Sequence, residues 1–134
     1  MRSIAINLLI ATAAVFVPIK AALIAIVVLT LLDLVSGVSA AIKRKESITS
    51  SGFKRTVIKL LVYLSVACLA YVVEAFLTGG LIPLAKIASG LVGVTELKSI
   101  LENMEEVTGL PILQMLIDKL AQQGGGDGGQ PPAP

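Results

Sequence analysis

Four apolar runs separated by short polar punctuation organise the first 95 residues. Ser3 to Ile19 is charge-free and seventeen residues long, the lower limit for crossing a hydrocarbon core of about 30 Å at 1.5 Å per residue. Pro18 and Lys20 mark its end. The second run, Ala21 to Ile42, is broken only by Asp33. The third, Leu60 to Leu77, is interrupted by Glu74 and closed by Thr78, Gly79 and Gly80, whose glycines can take the positive φ that ends a helix. The fourth, Leu81 to Thr95, carries Lys86 and has only fifteen residues. The pattern predicts crossings at about 3–19, 21–42, 60–77 and 81–95.

From Glu96 the period changes. Leu97, Ile100, Leu101, Met104 and Val107 fall at helical spacing with Lys98, Glu102, Glu105 and Glu106 between them, which is the pattern of an amphipathic helix. Gly109 and Pro111 punctuate it, and Ile112, Leu113, Leu116, Ile117 and Leu120 repeat it. Residues 96–123 are therefore expected to form cytoplasmic or interfacial amphipathic helices. Residues 124–134, with five Gly, three Pro and one Asp, cannot bury apolar area and are expected to be a disordered tail. The expected fold is all-α, an integral membrane protein with three to four transmembrane helices. The lower number applies if the first segment only lies on the membrane. A cleaved signal peptide over residues 1 to about 20 is the other reading of that segment, against which Pro18-Ile19-Lys20-Ala21-Ala22 makes a poor small-x-small cleavage site.

Composition sharpens the membrane reading. The 134 residues are 55% hydrophobic and 15% charged, with a mean hydropathy of +0.90, whereas an average soluble domain carries about 25% charged residues. Net charge is only +2, which gives no case for nucleic acid as a partner. Cys68 is the one cysteine and there is no histidine, so the chain offers neither an intrachain disulfide nor the usual metal and catalytic constellations. Neither an enzyme nor a cofactor is expected. The signs of charge are segregated: Lys43, Arg44, Lys45, Lys54, Arg55 and Lys59 stand against the single acid Glu46 over residues 43–59, and read as a short basic loop. With four crossings and both termini inside, Arg2, these six and Lys98 are cytoplasmic and only Lys20 faces out, in accord with the excess of cations on the cytoplasmic side.

Three ionisable side chains, Asp33, Glu74 and Lys86, fall inside apolar runs, where each costs on the order of 2.5 to 3.5 kcal/mol at a helix centre. Two readings stand. Either they line or gate a water-filled lesion in an oligomer, or they snorkel to an interface, with Glu74 and Lys86 pairing across the Gly79-Gly80 turn. Gly37 and Ala41, then Ser89 and Gly93, are small residues four apart, the spacing that lets membrane helices approach closely.

Two blocks then bring a family into view. Leu32-Asp33-Leu34-Val35-Ser36-Gly37, with Ala40-Ala41-Ile42-Lys43 and, across the loop, Ile48, Ser50, Gly52 and Lys54, resembles the Asp-x-x-x-Gly and basic-loop block of the toxin-secretion and phage-lysis holins. Glu96-Leu97-Lys98-Ser99-Ile100-Leu101-Glu102-Asn103, followed by Gly109-Leu110-Pro111, resembles the same family's Glu-Leu-x-Ser-Ile-x-Glu-Asn and Gly-x-Pro signature. The blocks span about residues 30 to 117. The family often has a second proline two residues after the first, where this chain has Leu113. The resemblance implies a phage-encoded protein that accumulates in the host cytoplasmic membrane, assembles as a homo-oligomer among membrane lipids, and opens lesions through which a murein hydrolase, the endolysin, reaches the cell wall. It also implies that some relatives serve protein-toxin export instead. A competing class, an antiholin that restrains a partner or an accessory structural subunit of a larger membrane complex, shares every feature read above except autonomous permeabilisation. The resemblance makes Glu96, Ser99, Glu102, Asn103, Gly109 and Pro111 the family-motif positions. As a mechanism, protomers are expected to pack through the faces containing Gly37, Ala41, Ser89 and Gly93, and the helices carrying Asp33 and Lys86 to turn towards water when the lesion opens, because hydration offsets their insertion cost. For the segment after Glu96 two readings stand: its acidic face contacts the basic loop, or it is an interfacial helix with Leu97, Ile100, Leu101 and Met104 in the headgroup region.

Overall fold

A computed structural model describes residues 2–124 and is helical throughout, with no strand among the described residues. The tail expected from residue 125 onward lies outside the described residues. Helix α1 spans Arg2–Val15 and ends where Pro18 forces a short 3₁₀ turn over Val17–Ile19. Proline suits the first turn of a new helix, because its missing N–H has no intrahelical partner there, and α2 follows at once over Lys20–Lys43. Helix α3 spans Ser50–Val72 and widens into a π-helical turn over Val73–Leu77. Helix α4 spans Leu84–Thr108 and α5 spans Ile112–Gly124.

Two of these boundaries differ from the sequence pattern. The fourth apolar run and the first amphipathic stretch are one continuous helix, α4, because no residue between Leu84 and Thr108 breaks the backbone ladder; polarity changes at Glu96 but the helix does not. The basic loop is also shorter than its run of cations suggests. Helix α3 begins at Ser50, so Lys54, Arg55 and Lys59 lie on a helix and only residues 44–49 connect α2 to α3. Gly109, at φ +74°, caps α4 in the left-handed conformation as its N–H bonds to the Glu105 carbonyl, a geometry that a Cβ would oppose.

Helices α2, α3 and α4 form the bundle, with α2 packed most extensively on α4. Contacts of Leu29 with Gly93, of Ser36 and Gly37 with Asn103, and of Lys43 with Glu106 advance together along both helices. The two therefore run parallel, and α3 returns antiparallel to them. The apolar centre is small: Ile26, Ala67 and Val92, one from each helix, ringed by Leu23, Leu60, Tyr63 and Leu64. Around it the outer surface stays apolar, with Ile24, Leu31, Leu32 and Val35 on α2 and Leu61, Val62 and Leu69 on α3 exposing half or more of their area. An outside as apolar as the inside is what a lipid solvent permits.

Two segments are long and apolar enough to cross a membrane, Val17–Lys43 and Ser50–Leu77, and Ser3–Val15 is a shorter apolar helix. Residues 3–15 are exposed throughout, and α1 makes no substantial contact with the bundle. Hydroxyls along the apolar helices are hidden in their own backbones. Thr30, fully buried, donates to the Ile26 carbonyl at 2.8 Å, and Ser65 does the same to Leu61, which removes the cost of placing an unpaired hydroxyl in hydrocarbon.

Candidate functional site, an ion triad clasping three helices

Halfway along α2 the sequence places a lone acid, and the bundle answers it with a lysine from α3. Lys59 Nζ donates to Asp33 Oδ2 at 2.5 Å and stands 2.8 Å from Glu96 Oε2 of α4. Tyr63, one turn beyond Lys59 on α3, donates its hydroxyl to Glu96 Oε1 at 3.0 Å. Glu96 is 1% exposed, an ionisable side chain buried as deeply as any apolar residue of the core. The triad holds two carboxylates and one ammonium, so each of the three helices contributes one charge to a common point. Asp33 also forms part of the wall of a cleft of about 540 Å³ that runs towards the α2–α3 connection and includes Gly37, Ser99 and Asn103.

Burial makes this arrangement asymmetric in energy. Taking paired charges from water into a bundle roughly breaks even, whereas removing one partner leaves an uncompensated charge. The triad is therefore a condition on how the helices dock: α4 cannot leave α3 without stranding Glu96.

On either side of the triad, small residues set the α2–α4 distance. A Cβ at Gly37 would meet Asn103 Nδ2 at 3.5 Å, and one at Gly93 would meet Leu29 Cδ1 at 3.7 Å. Asn103 uses that closeness to donate to Ser36 Oγ at 3.0 Å. Ala40 is fully buried and Ala41 half-buried beside it, while Ser89 is half-buried with a buried hydroxyl oxygen.

At the basic end, Lys43 Nζ donates to the carbonyls of Glu106 and Val107 at 2.7 and 2.9 Å, satisfying acceptors that the end of α4 leaves open. Arg44 pairs with Glu106 and, at 3.0 Å, with Glu46. Its guanidinium is held still more firmly in the charged form, by Glu106 first and Glu46 second. Lys45 adopts φ +60° where the chain leaves α2, and Lys54 and Arg55 are exposed on the first turns of α3. Glu102 pairs with Lys98 on the outside of α4 at 2.6 Å. Glu105 Oε1 accepts from the Leu113 N–H, and Pro111 opens α5 by accepting from the Met115 N–H.

The opposite end departs from the sequence reading. Glu74 does not pair with Lys86 across the glycine turn. Its Oε2 accepts from the Ala85 N–H at 2.8 Å, capping a helix whose own N-cap, Pro83, supplies no side-chain acceptor. Lys86 is exposed on the first turn of α4. The π-helical turn and the positive φ of Gly79 and Gly80 bring Glu74 there. Replacing Glu74 by Ala should lower stability by about 1 kcal/mol, the usual loss of a helix N-cap. The measurement is thermal unfolding in detergent, and an unchanged midpoint would show that the cap contributes nothing.

Asp33 likewise does not stand ready to face water alone; it points at Lys59. Sequence reading singled out Asp33 and, through the family signature, Glu96, but placed Lys59 in a loop and passed over Tyr63. The available signal was position: Lys59, Asp33 and Glu96 sit where an apolar run begins, is broken and ends, one per helix.

Among known proteins, the family model described as Bacteriophage holin family matches residues 10–124. The match extends beyond the two motif blocks, into α1 at one end and through α5 at the other. No curated protein and no solved structure matches the chain.

Proposed function

The chain belongs to the bacteriophage holin family, and on that premise we propose that it accumulates in the host cytoplasmic membrane, assembles with copies of itself, and opens lesions that release an endolysin to the cell wall. The family match over nearly the whole described chain carries this reading. The architecture supports it. Val17–Lys43 and Ser50–Leu77 have the length and apolarity of membrane spans, and the parallel packing of α4 on α2 supports a third crossing beside them. Lys43, Arg44, Lys45, Lys54 and Arg55 gather at one end of the bundle, which the distribution of cations makes cytoplasmic. Helix α1 is the fourth crossing or an interfacial segment, according to whether it enters the bilayer before lysis.

Assembly needs faces that pack and a bundle that holds its shape until many copies have gathered. The close α2–α4 contact uses Gly37 and Gly93 inside one copy, so contacts between copies fall to the exposed surfaces. The triad keeps α4 on α3 meanwhile.

Inducing this gene alone in a bacterial host, with and without a co-expressed cytoplasmic murein hydrolase that lacks its own export signal, tests the proposal through membrane potential and culture density. The expected result is abrupt depolarisation after a delay, with lysis only when the hydrolase is present. Steady growth with the protein inserted in the membrane would overturn it and assign the chain to restraint of a partner, as an antiholin or accessory subunit.

A further inference from the structure

The bundle is not equally apolar on all sides at one depth. The register of α2 on α4, fixed by Leu29 against Gly93 and by Ser36 against Asn103, sets Lys98 level with Asp33. At that level α2 turns Leu31, Leu32 and Val35 outward, and α3 turns Ile58, Leu61 and Val62 outward, all at 50% exposure or more. Helix α4 turns out a Lys98–Glu102 pair whose side chains are 63% and 52% exposed. Leu91, Thr95, Lys98 and Glu102 follow one another at i, i+4, i+7 and i+11 and are all exposed, along a stripe turned about 110° around the helix axis from Ala85, Val92 and Glu96, which are buried against α2 and α3.

Two charges held in lipid at this depth are each costly before pairing. The pairing recovers little where both side chains are this exposed. Faces of α2 and α3 have no such problem with lipid. An environment of water on one side and lipid on the other two removes the conflict, and an assembly enclosing water supplies it.

Resting on the holin reading above, we propose that the Leu91–Thr95–Lys98–Glu102 face of α4 forms the wall of the water-filled lesion, with the outer faces of α2 and α3 turned to lipid or to neighbouring copies. While copies are few, Lys98 and Glu102 neutralise each other. When copies enclose water, both are hydrated, so the cost of inserting them becomes a gain from opening.

The proposal is tested in the full-length protein with Cys68→Ala as the parent, adding single cysteines Leu91→Cys and Thr95→Cys on the stripe, and Val28→Cys and Leu61→Cys on the apolar faces. A membrane-impermeant cationic thiosulfonate is added outside the cells before and after depolarisation. Because the thiolate is the reacting species and hydrocarbon suppresses it, both stripe positions should react only after depolarisation, and then at least about tenfold faster than Val28→Cys and Leu61→Cys. Two stripe positions are used so that the loss of one variant to misfolding leaves the other. Equal rates on all faces, or faster reaction on α2 or α3, in cells that still depolarise would overturn the assignment of the wall to α4 and leave the holin reading standing. A Cys68→Ala parent that inserts but never depolarises, when the unsubstituted chain also fails to, would instead sink the holin reading.

Discussion

Replacing Lys59 by Met is expected to cost about 3–5 kcal/mol of bundle stability, the range for breaking a buried ion pair from one side. The reason is not the lost attraction alone. Met fills most of the volume of the lysine stem, so packing survives, but Asp33 and Glu96 are left facing each other with Glu96 at 1% exposure. Removing all three charges tests whether this is the cause. A variant with Lys59→Met, Asp33→Asn and Glu96→Gln should recover most of the loss, because neutral amides can hydrogen-bond where two carboxylates repel. Thermal unfolding in detergent and the amount of protein in the membrane fraction are the measurements. If the triple variant is no more stable than Lys59→Met, the effect lies in the lysine's packing and the triad is not the clasp described above.

The second large effect is expected at Gly37. Adding a single methyl there, as in Gly37→Ala, should be tolerated, since the new Cβ would meet Asn103 Nδ2 at an ordinary 3.5 Å. Gly37→Leu should not be: its further carbons have to displace Asn103 and push α4 away from α2. Overpacking of this kind costs about 1–3 kcal/mol, and here it also lengthens the Asn103–Ser36 hydrogen bond and strains the triad one turn away. The expected result is a lowered unfolding midpoint and altered lysis timing for Gly37→Leu, with Gly37→Ala close to the parent. Equal behaviour of the two would mean that α2 and α4 do not approach closely in the membrane.

Much of this architecture is legible from local chemistry. Long apolar runs are helices in lipid because every backbone polar group must be paired within the segment, so α2 and α3 are visible from composition alone. Gly79, Gly80 and Gly109 mark turns because only a residue without a Cβ adopts positive φ freely, and Pro18 marks the start of a new helical segment. Cations clustered from Lys43 to Lys59 indicate a side of the membrane. What misleads is the equation of charge with loop. Lys54, Arg55 and Lys59 look like part of a connection, yet a helix begins at Ser50 and carries them, because nothing in Ser50–Val72 prevents it and α3 gains packing on both neighbours. The change of polarity at Glu96 looks like a boundary for the same reason and is none.

Local pattern was enough to show a helical membrane protein with charge scarce in its apolar runs, where its helices turn, and, through two ordered motif blocks, which family it resembles. Which charges meet is fixed by the packing of the helices. Asp33, Lys59, Tyr63 and Glu96 are spread over 64 positions of the chain, and no local pattern states that they share one level of a bundle. That follows from the rotation and register of three helices, which small residues such as Gly37 and Gly93 set by permitting close approach. The same register made Glu96 a buried residue and Lys98, two positions later, an exposed one, since on a helix two steps turn a side chain by about 200°.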